Sequence, residues 1–246
     1  MVYNMKRYKL SGYRSLLTLE EIVKAVLIDH YMVAHKDIVD TVRGNKILDL
    51  GCNIGNYSIA IAKRNPQSSI IGVDYEGYMI EIAQDLYKDV PNLSFMTMDA
   101  LALKFNDNEF DTVCFFEVIE HMDDPVGALK EIYRVLKPGG ELVLATNNVY
   151  YSRFFIRQII YDVLKKSPKL MIHHIDEPWG SHKFAWDVST LCTLLDLNGF
   201  KYESHHYTGS SGFYIGNTLF GKYLDKIFSA LMPFFRATTV VKVRKG

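Results

Sequence analysis

At 246 residues, 48% hydrophobic and 23% charged, the chain is long enough for one sizeable core and too ordinary in composition for a disordered, fibrous or collagen-like protein. Its 28 basic and 28 acidic residues cancel to a formal charge of +0, which leaves no global electrostatic footprint for nucleic acid or an anionic membrane. Three widely spaced cysteines, Cys52, Cys114 and Cys192, exclude a disulfide scaffold and a cysteine-rich zinc module and suit a reducing, cytoplasmic setting.

Lys6, Arg7 and Lys9 precede only the apolar pair Leu16 and Leu17 before Glu20 and Glu21 interrupt, so a secretory leader is not expected. No run reaches the roughly 20 apolar residues of a membrane-spanning helix. Residues 1–43 read as a helical, apolar cover packed on the rest of the domain. From 44 to 146, short β-branched or apolar runs alternate with helical periodicity, the pattern of a parallel sheet flanked by helices. Strands are expected at 46–50, 69–73, 93–97, 112–116 and 141–145. Helices are expected at 54–64, 76–88 and 123–136, the first stopped by Asn65-Pro66 and the second by Pro91. The third runs into Lys137-Pro138-Gly139-Gly140, a cation beside the last carbonyls followed by helix breakers.

The alternation lapses over residues 147–186, an insertion longer than an ordinary connection and therefore a place where function concentrates. Within it Phe155, Ile156, Ile159, Ile160, Val163 and Leu164 form one helical stripe, flanked by Arg153, Arg157, Lys165 and Lys166. Residues 187–246 then supply a helix at 187–197 and a strand at 200–204. An amphipathic helix carrying Phe220, Tyr223, Leu224, Ile227, Phe228 and Leu231 comes next, and then a last strand at 238–243. With no internal repeat or linker, residues 1–246 are expected to form one domain.

The stretch Ile47-Leu48-Asp49-Leu50-Gly51-Cys52-Asn53-Ile54-Gly55 is a strand running into a small-residue turn that opens a helix, where backbone can approach a ligand. Asp74 ends the next strand 19 residues beyond Gly55, near the spacing at which dinucleotide-binding folds set a carboxylate on ribose hydroxyls. A nucleoside is implied. A dinucleotide is not: the glycines fall as G-x-x-x-G, and Asp49 stands two residues before the first, where a pyrophosphate would be repelled. A cationic group suits that position better.

These residues resemble motif I of the class I S-adenosylmethionine-dependent methyltransferases, usually D-x-G-x-G-x-G, whose cofactor carries an ammonium and a sulfonium. Asn53 replaces the middle glycine, and asparagine is well tolerated at positive φ. By the same resemblance Asp74 is the ribose acid, Tyr75 lies against adenine, and Asp99 with Ala100 reads the adenine amino group. Phe110-Asp111-Thr112-Val113 through Glu117-Val118-Ile119-Glu120-His121 is similar to the fourth-strand motif, and Leu136-Lys137-Pro138-Gly139-Gly140-Glu141-Leu142-Val143-Leu144 to the motif entering strand five. These signals, in family order over about 44–204, imply a Rossmann-like α/β fold. The resemblance makes it a doubly wound, seven-stranded, mostly parallel sheet, with an antiparallel last strand and a helical insertion after strand five. The implied cofactor contacts are Asp49, Gly51, Cys52, Asn53, Gly55, Asp74, Tyr75, Asp99, Ala100 and Glu117.

Methyl transfer from a sulfonium is an in-line displacement, so the protein must bring nucleophile and methyl together, exclude water and remove an acceptor proton. Acceptor contacts are expected near the C-terminal ends of strands four and five. Glu117, Glu120 and His121 lie there at a spacing that, on a helix, shares one face. The E-x-x-E-H string resembles ubiquinone-biosynthesis-type O-methyltransferases and also the small-RNA terminal 2′-O-methyltransferases, in which such residues and a later histidine hold a divalent cation. Ser181-His182-Lys183-Phe184-Ala185-Trp186 is similar to the His-x-Phe-Glu-Trp segment of the RNA enzymes, with Ala185 in place of the glutamate. The resemblance thus gives a candidate site for an ion such as Mg at Glu117, Glu120, His121 and His182, which would bind and orient an acceptor hydroxyl. Without a cation His121 is the expected general base, with Glu120 beside it.

His173-His174 and His205-His206 are set aside because adjacent histidines do not share a helix face, and Cys52 reads as packing. The quinone-type resemblance and the cations flanking the inserted stripe imply a small or lipid-linked hydroxyl acceptor and peripheral membrane contact. RNA is the alternative acceptor, disfavoured by the neutral charge balance. A non-catalytic cofactor-binding protein is the alternative of another class.

Overall fold

The computed structural model describes residues 7–8, 17–18, 36–151, 183–209 and 219–246. Near the start, β1 (Arg7–Tyr8) pairs antiparallel with β2 (Leu17–Thr18), and a short helix α1 (Lys36–Asp40) leads toward the main sheet. The helical reading of residues 1–43 therefore does not extend to Arg7–Tyr8 and Leu17–Thr18, whose backbones pair as strands.

The main sheet consists of β3 (Lys46–Leu50), β4 (Ser69–Asp74), β5 (Leu93–Thr97), β6 (Phe110–Phe116), β7 (Leu136–Asn147), β8 (Phe200–Thr208) and β9 (Thr238–Lys245). Their order is β5-β4-β3-β6-β7-β9-β8. Strands β3 to β7 run parallel, while β9 is antiparallel to both of its neighbours, β7 and β8. This is the doubly wound sheet with a reversed last strand that the motifs implied. Helices on both faces bury the central strands, which is why those strands read as nearly continuous apolar runs.

On one face α4 (Pro125–Val135) and α5 (Val188–Leu197) pack Leu129, Ile132 and Leu191 against Leu48, Val113, Phe115 and Val241. On the other, α1, the segment just after it and α2 (Asn56–Arg64) bring Ile38, Val42 and Ile61 against Ile47, Ile70, Cys114 and Val143. Between α2 and α3 (Gly77–Tyr87), Ile59, Ile80 and Ala83 close a smaller cluster around Cys52 and Phe95. The amphipathic helix α6 (Leu219–Leu231) precedes β9.

Local signals explain the boundaries. Asp124 caps α4 by accepting from Gly127 N at 2.8 Å, with Pro125 at the first helical position; Asp187 caps α5 through Thr190 N at 3.0 Å. Helix α2 begins two residues later than expected, at Asn56, because Gly55 is left-handed at φ 83 and keeps Ile54 in the turn. The Lys-Pro-Gly-Gly stretch ends α4 as expected but is itself drawn into β7, with a register shift between Phe110 and Thr112. Lys137 Nζ reaches Asp111 at 2.5 Å, and the same carboxylate accepts from Lys46 N at 2.8 Å, pinning the start of β3.

The inserted stripe from Phe155 to Leu164 falls outside the described residues. The ends of the insertion do meet: Asn148 bridges to Trp186, and Val149 N donates to Trp186 O at 3.2 Å. No described helix is long and apolar enough to cross a membrane.

Candidate active site

Register aligns the C-terminal ends of four parallel strands. Leu50 is level with Val73 on β4 and Phe115 on β6, and Asp74 with Thr97 on β5. At about 4.8 Å between neighbouring strands, the edge from β5 to β6 is roughly 14 Å long. The residues singled out from the sequence fall along it: Asp99 and Ala100 after β5, Asp74 and Tyr75 at β4, Asp49 and the glycine turn at β3, Glu117 after β6.

The turn after β3 is tied to β4 by Gly51 N and Cys52 N, which donate to Val73 O at 2.7 and 2.9 Å. Gly51 (φ 77), Asn53 (φ 51) and Gly55 (φ 83) are all left-handed, so Asn53 fills the place of a glycine as its chemistry allows. Its Oδ1 accepts from Ile54 N at 2.7 Å. Cys52 packs among the apolar residues between α2 and α3, and burial pushes its thiol well above the usual range, which suits packing rather than reactivity.

Two carboxylates are buried here. Asp74 Oδ2 accepts from Asn53 N at 2.8 Å and Oδ1 from Glu76 N at 3.0 Å, so this side chain bridges the turns at the ends of β3 and β4. Each oxygen keeps acceptor capacity for a ligand hydroxyl. Asp49 is 2% exposed, and Ser58 Oγ donates to its Oδ2 at 2.5 Å. Burial pushes the Asp49 carboxyl up to about 7; the Ser58 hydroxyl pulls it down and the charge of Asp74 pushes it further up. Asp74 is also raised, chiefly by burial. Among the described residues no Lys, Arg or His side chain forms an ion pair with either acid. The turn therefore carries an unmet demand for positive charge.

At the β5 end, Met98 N donates to Asp74 O at 2.9 Å, and Asp99 Oδ1 accepts from Leu101 N at 2.9 Å. Tyr75 is 73% exposed and Leu101 42% exposed, on the loops after the adjacent strands β4 and β5. Both offer apolar surface to a planar ligand group.

The acceptor side departs from expectation. Glu117 is left-handed at φ 54 and precedes a short 3-10 turn, Ile119–His121, so Glu117, Glu120 and His121 do not share one face of a helix. Glu120 is fully buried and its Oε2 accepts from Thr146 Oγ1 at 2.9 Å, while His121 is half-buried. The Glu120 carbonyl accepts from Lys183 N at 2.7 Å and Phe184 N at 3.1 Å, and Lys183 Nζ meets Asp123 at 2.5 Å. The returning chain is thus fastened beside Glu120. His182 lies outside the described residues. Among the described residues no three His, Cys, Asp or Glu side chains are grouped to hold a metal ion.

Two polar residues here carry almost no signal in the sequence. Ser58 lies three residues beyond Gly55 and is fully buried against Asp49; Thr146 stands one residue past the expected end of its strand and is fully buried against Glu120. A small hydroxyl residue in an otherwise apolar run is all that marks either. His205 and His206 sit on β8, three strands from β6, where His205 Nδ1 pairs with Tyr202 OH at 2.8 Å.

Residues 48–144 match the family model described as Methyltransferase domain. The demethylmenaquinone methyltransferase of Staphylococcus carnosus is 38% identical over 102 residues, which are 41% of this chain and 42% of that protein. The match thus spans less than half the length of this curated relative. Among solved structures, the complex between the Haloferax volcanii Trm112 methyltransferase activator and a methyltransferase gives a TM-score of 0.64 at 19% identity, over 91% of this chain and 93% of that one. A SAM-dependent methyltransferase from Aquifex aeolicus gives 0.60 at 14% identity, over 94% of this chain and 100% of that one. At such identities the structural likeness establishes the fold. Fold, motif order and family match agree: residues 48–144 match a methyltransferase domain, and the chain has the fold of these methyltransferase structures.

Proposed function

We propose that the chain transfers a methyl group from S-adenosylmethionine to a hydroxyl of a small or lipid-linked acceptor. The observation that carries this reading is the pair of buried acids Asp49 and Asp74, two residues apart in register on adjacent strands, with no basic partner among the described residues. A cationic nucleoside supplies what both lack. A dinucleotide would bring a pyrophosphate to the same place and worsen the imbalance. The name of the Staphylococcus carnosus relative supports a lipid-linked acceptor.

When bound, S-adenosylmethionine supplies an electrophilic methyl on a sulfonium. Asp74 accepts from the ribose hydroxyls, while Asp99 and Ala100 recognise the adenine edge and Tyr75 covers its face. The backbone of Gly51, Cys52, Asn53 and Gly55 gives close approach, and Asp49 answers the ammonium. Glu117 borders the sulfonium end. Glu120, held by Thr146, positions the turn on which His121 takes the acceptor proton. A divalent cation joins this scheme only if His182 completes a set with Glu117, Glu120 and His121.

The same reading takes the chain as one domain in a cytoplasmic setting with peripheral membrane contact. Helix α6 supports that contact: Tyr223, Ile227 and Leu231, spaced i, i+4 and i+8, are 63%, 36% and 74% exposed.

Labelled methyl transfer to a cell extract, separated into lipid, small-molecule and RNA fractions, tests the proposal. Label in the lipid or small-molecule fraction is expected. Label in RNA selects the 2′-O-methyltransferase reading, and binding without labelling anywhere selects a non-catalytic role.

A further inference from the structure

We propose that cofactor binding at this site is proton-coupled: the incoming ammonium expels a proton from Asp49, and Ser58 is the positioning residue that sets how readily it leaves. This rests on the cofactor reading above and goes beyond it, because it makes the empty and loaded states differ by one proton.

Asp49 sits among groups that supply no positive charge. Its neighbours in register are Gly72 on β4 and Cys114 on β6, and the turn beyond it adds Cys52. Helix α2 contributes Ser58, and β4 contributes Asp74, with Glu76 adding its own negative charge to Asp74. Both thiols are pushed up by burial and stay neutral. No cation faces the carboxyl from any of these elements, and a second carboxylate does. Two buried carboxylates so placed resist ionising together, and the more buried one keeps its proton up to about pH 7. One hydrogen bond works against this, the 2.5 Å contact in which Ser58 Oγ donates to Oδ2 and favours the ionised form.

A cation reverses the balance. On binding, the O–H bond of Asp49 breaks heterolytically, its electron pair stays on the carboxylate beside the ammonium, and the proton passes to solvent. No electrons are exchanged and no co-reactant is needed. Below pH 7 the ligand must displace that proton, so affinity falls as pH falls; above it the carboxylate is already formed.

The experiment is calorimetric titration of the whole protein with S-adenosylmethionine between pH 5.5 and 7.0, below the ordinary α-amino range, in two buffers of unlike ionisation enthalpy. Close to one proton released per ligand at the acid end is expected, with affinity on the order of tenfold weaker at pH 5.5 than at pH 7.0. Asp49→Asn should bind more weakly with no proton exchange and a flat profile. Ser58→Ala should move the pH step upward, so that its deficit is largest at the acid end and vanishes well above pH 7, a range to which this one titration is extended. A merely structural serine would weaken binding equally at every pH. If Asp49→Asn does not fold, the buffer pair on the native protein and the Ser58→Ala profile still decide. Binding without proton release, or a Ser58→Ala deficit that is uniform in pH, overturns this inference alone. Absence of binding at every pH overturns the cofactor reading and this inference with it.

Discussion

Gly51 lies directly beneath Val118: a Cβ on Gly51 would stand 2.3 Å from Val118 Cγ2. The contact joins the turn at the end of β3 to the residue leading into the 3-10 turn of Glu120 and His121, so the proposed cofactor and acceptor halves of the site share one packing point. Gly51→Ala adds that clash to a left-handed backbone at φ 77. The expected cost is on the order of 1–3 kcal/mol, read as a lower Tm with weaker cofactor binding. Val118→Ala in the same chain should restore part of it by opening space. A Gly51→Ala protein as stable as the native one would show that this contact does not link the two halves.

Asp49 predicts an unusual stability profile. Its carboxyl is raised from the ordinary 3.8 to about 7 in the folded chain, so folding favours the protonated form. The stabilisation is fully present below pH 3.8, is lost as pH rises toward 7, and changes no further above that. Asp49→Asn keeps the partner of Ser58 without the charge. Thermal melts of the ligand-free protein should therefore place Asp49→Asn above the native chain at about pH 8, with the gap closing toward about pH 4. A gap independent of pH would mean that Asp49 does not titrate in this range.

Asp74 bridges two turns, and its proposed second role, at the ribose, separates from the first by variant. Asp74→Asn keeps an acceptor for one backbone N–H but should lose the proposed charge-assisted bonds to ribose, worth roughly 1.5–3 kcal/mol of binding. Asp74→Ala also frees Asn53 N and Glu76 N, and should lower Tm as well as affinity. Calorimetry and melts on both variants check this. Unchanged affinity in folded Asp74→Asn would take the residue out of the site.

The order and direction of the sheet were readable because glycine and proline breakers delimit each element and because buried parallel strands are apolar on both faces. The left-handed turn was readable for the same reason: Gly51, Asn53 and Gly55 are residue types that tolerate positive φ. Ser58 and Thr146 were not, since each acts through a partner on another element, 9 and 26 residues away in sequence. Glu117 misled because spacing assumes a helix, whereas its backbone is left-handed and only residues 119–121 turn. The paired strands at Arg7–Tyr8 and Leu17–Thr18 are two residues each, too short for any periodicity to announce.

On the acceptor side the expected reaction needs no cation. Methyl transfer should survive a chelator, whereas His121→Ala should lower kcat about 100-fold or more while cofactor affinity holds. Thr146→Val should give a smaller loss by removing one hydrogen-bond partner of the Glu120 carboxylate. Activity that is abolished by chelation and restored by Mg would instead bring His182 to Glu120.

The most direct test of the central claim, that the acids at the β3 and β4 ends, without a basic partner among the described residues, form a site for a cationic nucleoside, is a paired titration of the same protein with S-adenosylmethionine and with NAD. Saturable, one-to-one binding of S-adenosylmethionine is predicted, weakened by both Asp49→Asn and Asp74→Asn, with no binding of NAD. Saturable NAD binding, or S-adenosylmethionine affinity indifferent to both substitutions in folded protein, would contradict it.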